Sequence, residues 1–298
     1  MATLHFDEIL VPTDASETAD AALDAALSLA SRTGARVHLL SVVNPYVLSK
    51  VTDVGESRSE VESIVAEAAE RARDAGVGVE TAVAEGAPHE EVGAYVDEHG
   101  IDVVVMGTHG RSGVGRALMG SVTEKVVRTV DVPVLTIHEP IPSFEPSRML
   151  LPTDGSDPAT AAERVALSLA DEYDATLEAL SVVDSLQLAA ASDPAAGGEG
   201  MAQVTDLLKE QAETAVQNVA ADGTSAGVSV ETTVGEGRPH ERILAAAEEH
   251  DADVIVVGTH GRSGVQRFVL GSVAEKVLRL ADRPVLVVPA ANSDGTAA

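Results

Sequence analysis

Two short stretches of the chain could hold a phosphate, and each occurs twice. Pro12-Thr13-Asp14-Ala15-Ser16 sets a carboxylate and two hydroxyls directly after an apolar run. Gly107-Thr108-His109-Gly110 is followed, after nine further residues, by Gly120-Ser121 at the head of a helical pattern. Glycines let backbone N–H groups come close to a ligand, and a helix start offers unpaired N–H groups and the positive end of the helix dipole. Ser121 adds a hydroxyl donor. Together these groups suit a di- or triphosphate. Pro152-Thr153-Asp154, and Gly258, Gly261, Gly271 and Ser272, repeat the types and the spacing.

Other readings of the same residues stay open. Asp14 and Asp154 could cap the helices that follow them, which Asp often does. The glycines could serve a tight turn, although a turn does not require Gly-Ser further on. Arg111 and Arg262 could neutralise phosphate or offset nearby acids; His109 and His260 could donate to phosphate or face solvent. His89 and His240 follow prolines at helix starts and belong to no H-E-x-x-H, so no metal site is expected. Glu124 and Lys125, with Glu275 and Lys276, read as a solvated helix face. There is no G-x-x-x-x-G-K-[ST]. Gly113-Val114-Gly115 lacks the third glycine of a dinucleotide fingerprint, and Gln266 replaces its second in the other half.

The positioning elements follow from the repetition. Leu10 to Asp14 returns as Leu150 to Asp154, and Leu40 to Val43 as Leu180 to Val183, both at an offset of 140. Gly107 to Val114 returns unchanged at an offset of 151, and 20 of the 31 positions from Gly107 to Ile137 are identical there. The 11-residue difference predicts an insertion, and Ala189–Gly200, small and Gly-rich, reads as a loop carrying it. Within the first half, Glu8–Thr13, Arg36–Val43, Val77–Val83, Asp102–Met106 and Val132–Ile137 read as strands. Helices are expected from Ser16 to Gly34, over Glu60–Arg73, after Pro88 and over Ser121–Thr129. Strand alternating with helix predicts an α/β fold with a parallel sheet and right-handed crossovers. The expected domains are 1–138 and 148–290, with a Pro-containing linker at 139–147 and a disordered tail at 291–298.

Composition narrows the function. The 298 residues carry 48 Asp and Glu against 20 Lys and Arg, a net charge of −28. Such a surface repels nucleic-acid phosphates. The acids run along the whole chain, which suggests adaptation to concentrated salt; a basic partner is the other reading. No cysteine is present, so disulfides and thiolate–metal sites are excluded. No apolar run approaches a membrane span, and the acidic start argues against a signal peptide, so a cytoplasmic protein without membrane contact is expected.

Each half resembles the universal stress protein family, and the whole chain its tandem members. The ATP-binding branch carries Gly-x2-Gly-x9-Gly-[Ser/Thr], which Gly107, Gly110, Gly120 and Ser121 match, as do Gly258, Gly261, Gly271 and Ser272. The resemblance implies Rossmann-like five-stranded sheets of order 3-2-1-4-5 with helices on both faces. It sets Asp14 and Asp154 beside the nucleotide, and gives adenine the backbone of Val42 or Val43 and of Val182 or Val183. The implied site comprises Pro12, Thr13, Asp14, Val42, Val43, Met106, Gly107, Thr108, Gly110, Arg111, Gly113, Gly120, Ser121 and Val122. Its second copy comprises Pro152, Thr153, Asp154, Val182, Val183, Val257, Gly258, Thr259, Gly261, Arg262, Gly264, Gly271, Ser272 and Val273. It further implies pairing through the fifth strand, within the chain and between chains as a homodimer. The expected function is a stress-response or regulatory protein binding ATP, ADP or AMP once per domain, with any Mg2+ carried by the nucleotide and little or no rapid turnover. A slow Mg-dependent ATPase, an autophosphorylating protein and a non-nucleotide interaction module are the alternatives.

Overall fold

A computed structural model describes residues 5–44, 54–108, 119–185, 197–259 and 270–290, apart from the side chains of 54–57 and 197–202. The chain forms two compact units whose main division falls between Glu145 and Pro146. In the first, β1 (Glu8–Pro12), α1 (Glu17–Thr33), β2 (Arg36–Val43), α2 (Val54–Asp74) and β3 (Val79–Glu85) lead to α3 (Pro88–His99), β4 (Val103–Gly107), α4 (Ser121–Thr129) and β5 (Val134–Ile137). The second repeats it with β6 (Arg148–Pro152), α5 (Asp157–Tyr173), β7 (Thr176–Asp184), α6 (Gly197–Ala226) and β8 (Val230–Gly237). It closes with α7 (Pro239–Glu249), β9 (Val254–Gly258), α8 (Ser272–Leu280) and β10 (Val285–Val288).

Strand order in the first unit is β3-β2-β1-β4-β5, with parallel pairing throughout. The second unit has the same order, β8-β7-β6-β9-β10. Right-handed crossovers then put α1 and α2 on one face and α3 and α4 on the other, because the chain turns back between β3 and β4. The contacts agree: α5 packs on α6, and α3 on α4. The central strands are apolar because both faces are covered; Val103 to Met106 and Val254 to Val257 are buried.

Local chemistry fixes the ends. Ser16 caps α1 by accepting from the Ala19 N–H at 3.3 Å, and Gly34 ends it at φ 79°. The Asp102 carboxylate, just before β4, accepts from the Asp7 and Glu8 N–H groups at 2.8 and 2.9 Å and so fixes β4 beside β1. Asp253 does the same for Ser147 and Arg148 in the second unit. The joining segment is anchored through buried Phe144, whose carbonyl accepts from Ser28 Oγ at 3.1 Å.

One expectation needs correction. Gly197–Gly200 is helical, not loop. α6 has 30 residues against 21 in α2, so most of the insertion lengthens a helix; Ala189 to Ala196 and the tail 291–298 lie outside the described residues. No helix among the described residues is long and apolar enough to cross a membrane.

Candidate functional site

The winding reverses between β1 and β4, and between β6 and β9. The carboxyl ends of such a pair diverge and leave a crevice, the place where open α/β sheets take ligands. Thr13 and Asp14 follow β1 there, and Thr108 follows β4. Thr13 is buried and held on both sides: its N–H donates to the Leu40 carbonyl at 2.9 Å, and its carbonyl accepts from Ser41 Oγ at 2.7 Å.

The capping alternative for the aspartates falls away. Ser16 caps α1, and Ser156 holds the N-cap position of α5 without a side-chain cap bond. Asp14 Oδ1 accepts from the Ser16 N–H at 3.0 Å, and Asp154 Oδ1 from Ser156 at 3.0 Å. Each Asp therefore shapes the turn into the helix while its half-buried carboxylate stays at the mouth of the crevice.

The glycines act differently from the expectation that all of them admit a ligand. A Cβ on Gly107 would lie 2.5 Å from Thr18 Oγ1 and 2.7 Å from the Thr18 backbone carbon. On Gly258 it would lie 2.6 Å from the Pro158 carbonyl oxygen. These two glycines let the first turn of α1 or α5 cross the strand end. Gly120 donates its N–H to Thr108 O at 2.7 Å, and Gly271 to Thr259 O at 2.6 Å. That pins the start of α4 and α8 to β4 and β9, so the groups left to meet an anion are the N–H groups of Ser121, Val122 and their counterparts Ser272 and Val273. Thr123 Oγ1 adds a bond to the Gly107 carbonyl at 2.8 Å; Ala274 replaces it in the second unit.

In the second unit these parts enclose a cavity of about 390 Å³, within the range of small-ligand sites. Pro152, Thr153 and Asp154 line one side, Val182 and Val183 the end of β7, Val257, Gly258 and Thr259 the end of β9, and Gly271, Ser272 and Val273 the helix start. In the first unit Pro12, Thr13, Asp14, Val42, Val43, Met106, Gly107, Thr108, Gly120, Ser121 and Val122 stand on the equivalent strand ends and helix start. Gly110, Arg111, Gly113, Gly261, Arg262 and Gly264 lie outside the described residues, as do His109 and His260.

The sequence reading missed part of the wall. Leu208, Gln211 and Ala212 of α6, Pro239 and Ile243 of α7, and Asp184 also line the cavity. Nothing in the sequence reading placed a face of α6 against the site; that contact appears only in the fold. His240, next to Pro239, is pushed below the usual histidine range by burial first and by the Lys276 ammonium second. No group of three or more metal-ligating side chains occurs among the described residues.

A doubly wound parallel sheet with a glycine-headed helix start beside the reversal, present here twice and with a cavity at the reversal of the second unit, defines a Rossmann-like α/β protein. The chain belongs to the universal stress protein family, whose family model matches residues 5–138 and again 146–289. It is 40% identical over 141 residues to a universal stress protein of Methanocaldococcus jannaschii, a match spanning 47% of this chain and 81% of that protein. A universal stress protein of Bacillus subtilis is 33% identical over 145 residues, 48% of this chain and 98% of its own. The crystal structure of a universal stress protein from Archaeoglobus fulgidus superposes with a TM-score of 0.74 at 24% identity, covering 98% of this chain and 100% of that one. That last likeness is one of fold.

Proposed function

We propose that each half of the chain binds ATP or a close adenine nucleotide, and that the protein is a cytoplasmic stress-response or regulatory protein with little or no rapid turnover. The observation that carries this reading is the cavity of the second unit. An aspartate turn, a strand end and a helix start converge on it from three segments far apart in sequence. The phosphates meet the N–H groups and hydroxyl of Ser272 and Val273 at the positive end of α8. The base lies against the backbone of Val182 and Val183, with Leu208 and Ile243 as apolar walls. Asp154 sits where it can accept from ribose or hold a divalent ion that arrives with the nucleotide. Binding is favoured over catalysis because the chain carries no G-x-x-x-x-G-K-[ST] lysine. Pairing of chains into a homodimer belongs to the same proposal, and sedimentation in molar KCl counts the chains.

The test is to purify the protein in molar KCl, denature it, and identify and count the nucleotides released. About two ATP per chain is the expected result; ADP or AMP would call for a Mg2+-dependent turnover assay. Excess ATP at 100 times Kd adds about 2.7 kcal/mol to the stability of the bound unit. Gly120→Val crowds the helix start of the first site and should reduce the count to one. A variant that still releases two would refute the assignment of the first site, and no ATP with no thermal shift would refute nucleotide binding altogether.

A further inference from the structure

The two candidate sites differ at the end proposed for the base. Strand order sets β7 beyond β6 from β9. Two strand spacings, about 10 Å, therefore separate the end of β7 from the end of β9, beside which α8 starts. Asp184 is the last residue of β7 and lines the cavity at that far end, with Val182, Val183 and Gln211 of α6. The sheet fixes its place, for its strand partner is Gly237 of β8. In the first unit β2 stops at Val43, and Asn44 holds the position of Asp184 at the offset of 140. Both residues are half-buried. At the offset of 151 an exposed Glu60 stands for Gln211.

Exchanging Asp for Asn changes the hydrogen-bond chemistry and keeps the shape. A carboxylate only accepts, at up to about four lone-pair sites, so a bond it already makes leaves room for others. An amide both donates and accepts. Purines differ in the same terms: adenine presents an amine donor at the six position, whereas guanine and hypoxanthine present a carbonyl acceptor. Facing a carboxylate, that carbonyl finds no donor, and the two oxygens repel. Gln211 can turn its amide to suit either base, so it does not choose.

We infer that Asp184 makes the second site select a base with an exocyclic amine, adenine over 6-oxopurines, and that Asn44 leaves the first site tolerant of both. The inference rests on the nucleotide reading and adds to it the side chain that chooses the base. Sites built to bond an N–H group reject the analogue that lacks it. At least about tenfold discrimination is expected at the second site and little at the first.

Inosine triphosphate is the probe, because it carries a carbonyl in place of the six-position amine of ATP. The full chain in molar KCl is loaded with labelled ATP and titrated with inosine triphosphate. The expected displacement has two steps: one equivalent leaves at the concentrations at which unlabelled ATP removes it, the other at concentrations at least about tenfold higher. Asp184→Asn should merge the steps at the lower concentration, since the amide donates to the carbonyl and still accepts from an amine. Asn44→Asp should merge them at the higher one. A carboxylate that only steadied the start of α7, where its charge reaches His240, would leave both steps unmoved. Unlabelled ATP displacing its own label checks that each variant still binds, and if one variant has lost ATP the other decides. One-step displacement from the native chain, or two steps that survive Asp184→Asn, overturns the inference. With a single equivalent bound, resistance that is lost in Asp184→Asn upholds it, and no resistance overturns it. ATP bound without discrimination leaves the nucleotide reading standing; no ATP bound by the native chain removes that reading and the inference with it.

Discussion

At Ala15 the backbone takes φ 56°, a left-handed conformation that costs an L-residue about 1–2 kcal/mol. Gly155, at the same place in the second repeat, has φ 72° and no such cost. The strain sits inside the aspartate turn, between Asp14 and the Ser16 N–H it accepts. Ala15→Gly should therefore raise the stability of the first unit by up to about 1 kcal/mol, strain relief exceeding the extra entropy of an unfolded glycine. Gly155→Ala should lower the second by about 1 kcal/mol. Urea unfolding in molar KCl measures both, and a destabilised Ala15→Gly would mean that the loop gains nothing from relief. The sequence displayed this Ala/Gly difference, but not its sign, because φ is set by the path from β1 into α1.

Helices and strands meet most closely where α1 and α5 cross the ends of β4 and β9. Gly258→Ala would drive a methyl group against the Pro158 carbonyl, a backbone group that cannot rotate away. It should cost about 1–3 kcal/mol by overpacking, seen as an earlier melting transition of the second unit with the first unchanged. A neutral substitution would return Gly258 to the ligand-approach role that spacing suggested. The extra length of α6 teaches a related lesson. Small and Gly-rich residues read as loop, yet Gly197–Gly200 continues a helix whose later turns bury Ala212, Ala215, Val216 and Val219. Tertiary packing of one helical face outweighs weak local propensity.

On the scale of the molecule, −28 charges on 298 residues repel one another. Molar salt shortens the screening length to about 3 Å, and 0.1 M leaves about 10 Å. We expect dilution from molar KCl to about 0.1 M to lower the melting temperature of both units, as unscreened repulsion grows. Calorimetry at a series of KCl concentrations checks it; an unchanged melting temperature would favour a basic partner as the reason for the charge. Exposed ion pairs such as Arg58–Glu62 and Arg238–Glu241 offset little of that repulsion.

Sequence alone determined the two repeats, the order of strands and helices within each, and the strand-end and helix-start residues of the candidate site. Those are local or periodic properties: apolar runs, helical spacing, glycine and serine at fixed intervals, and a second copy to check them against. Tertiary structure decided which residues face one another. Gly107 serves Thr18, Gly120 spends its N–H on Thr108, and Gln211 reaches a cavity otherwise built from strand ends. Contacts between elements far apart in sequence depend on crossing geometry and burial, and neither leaves a period in the chain.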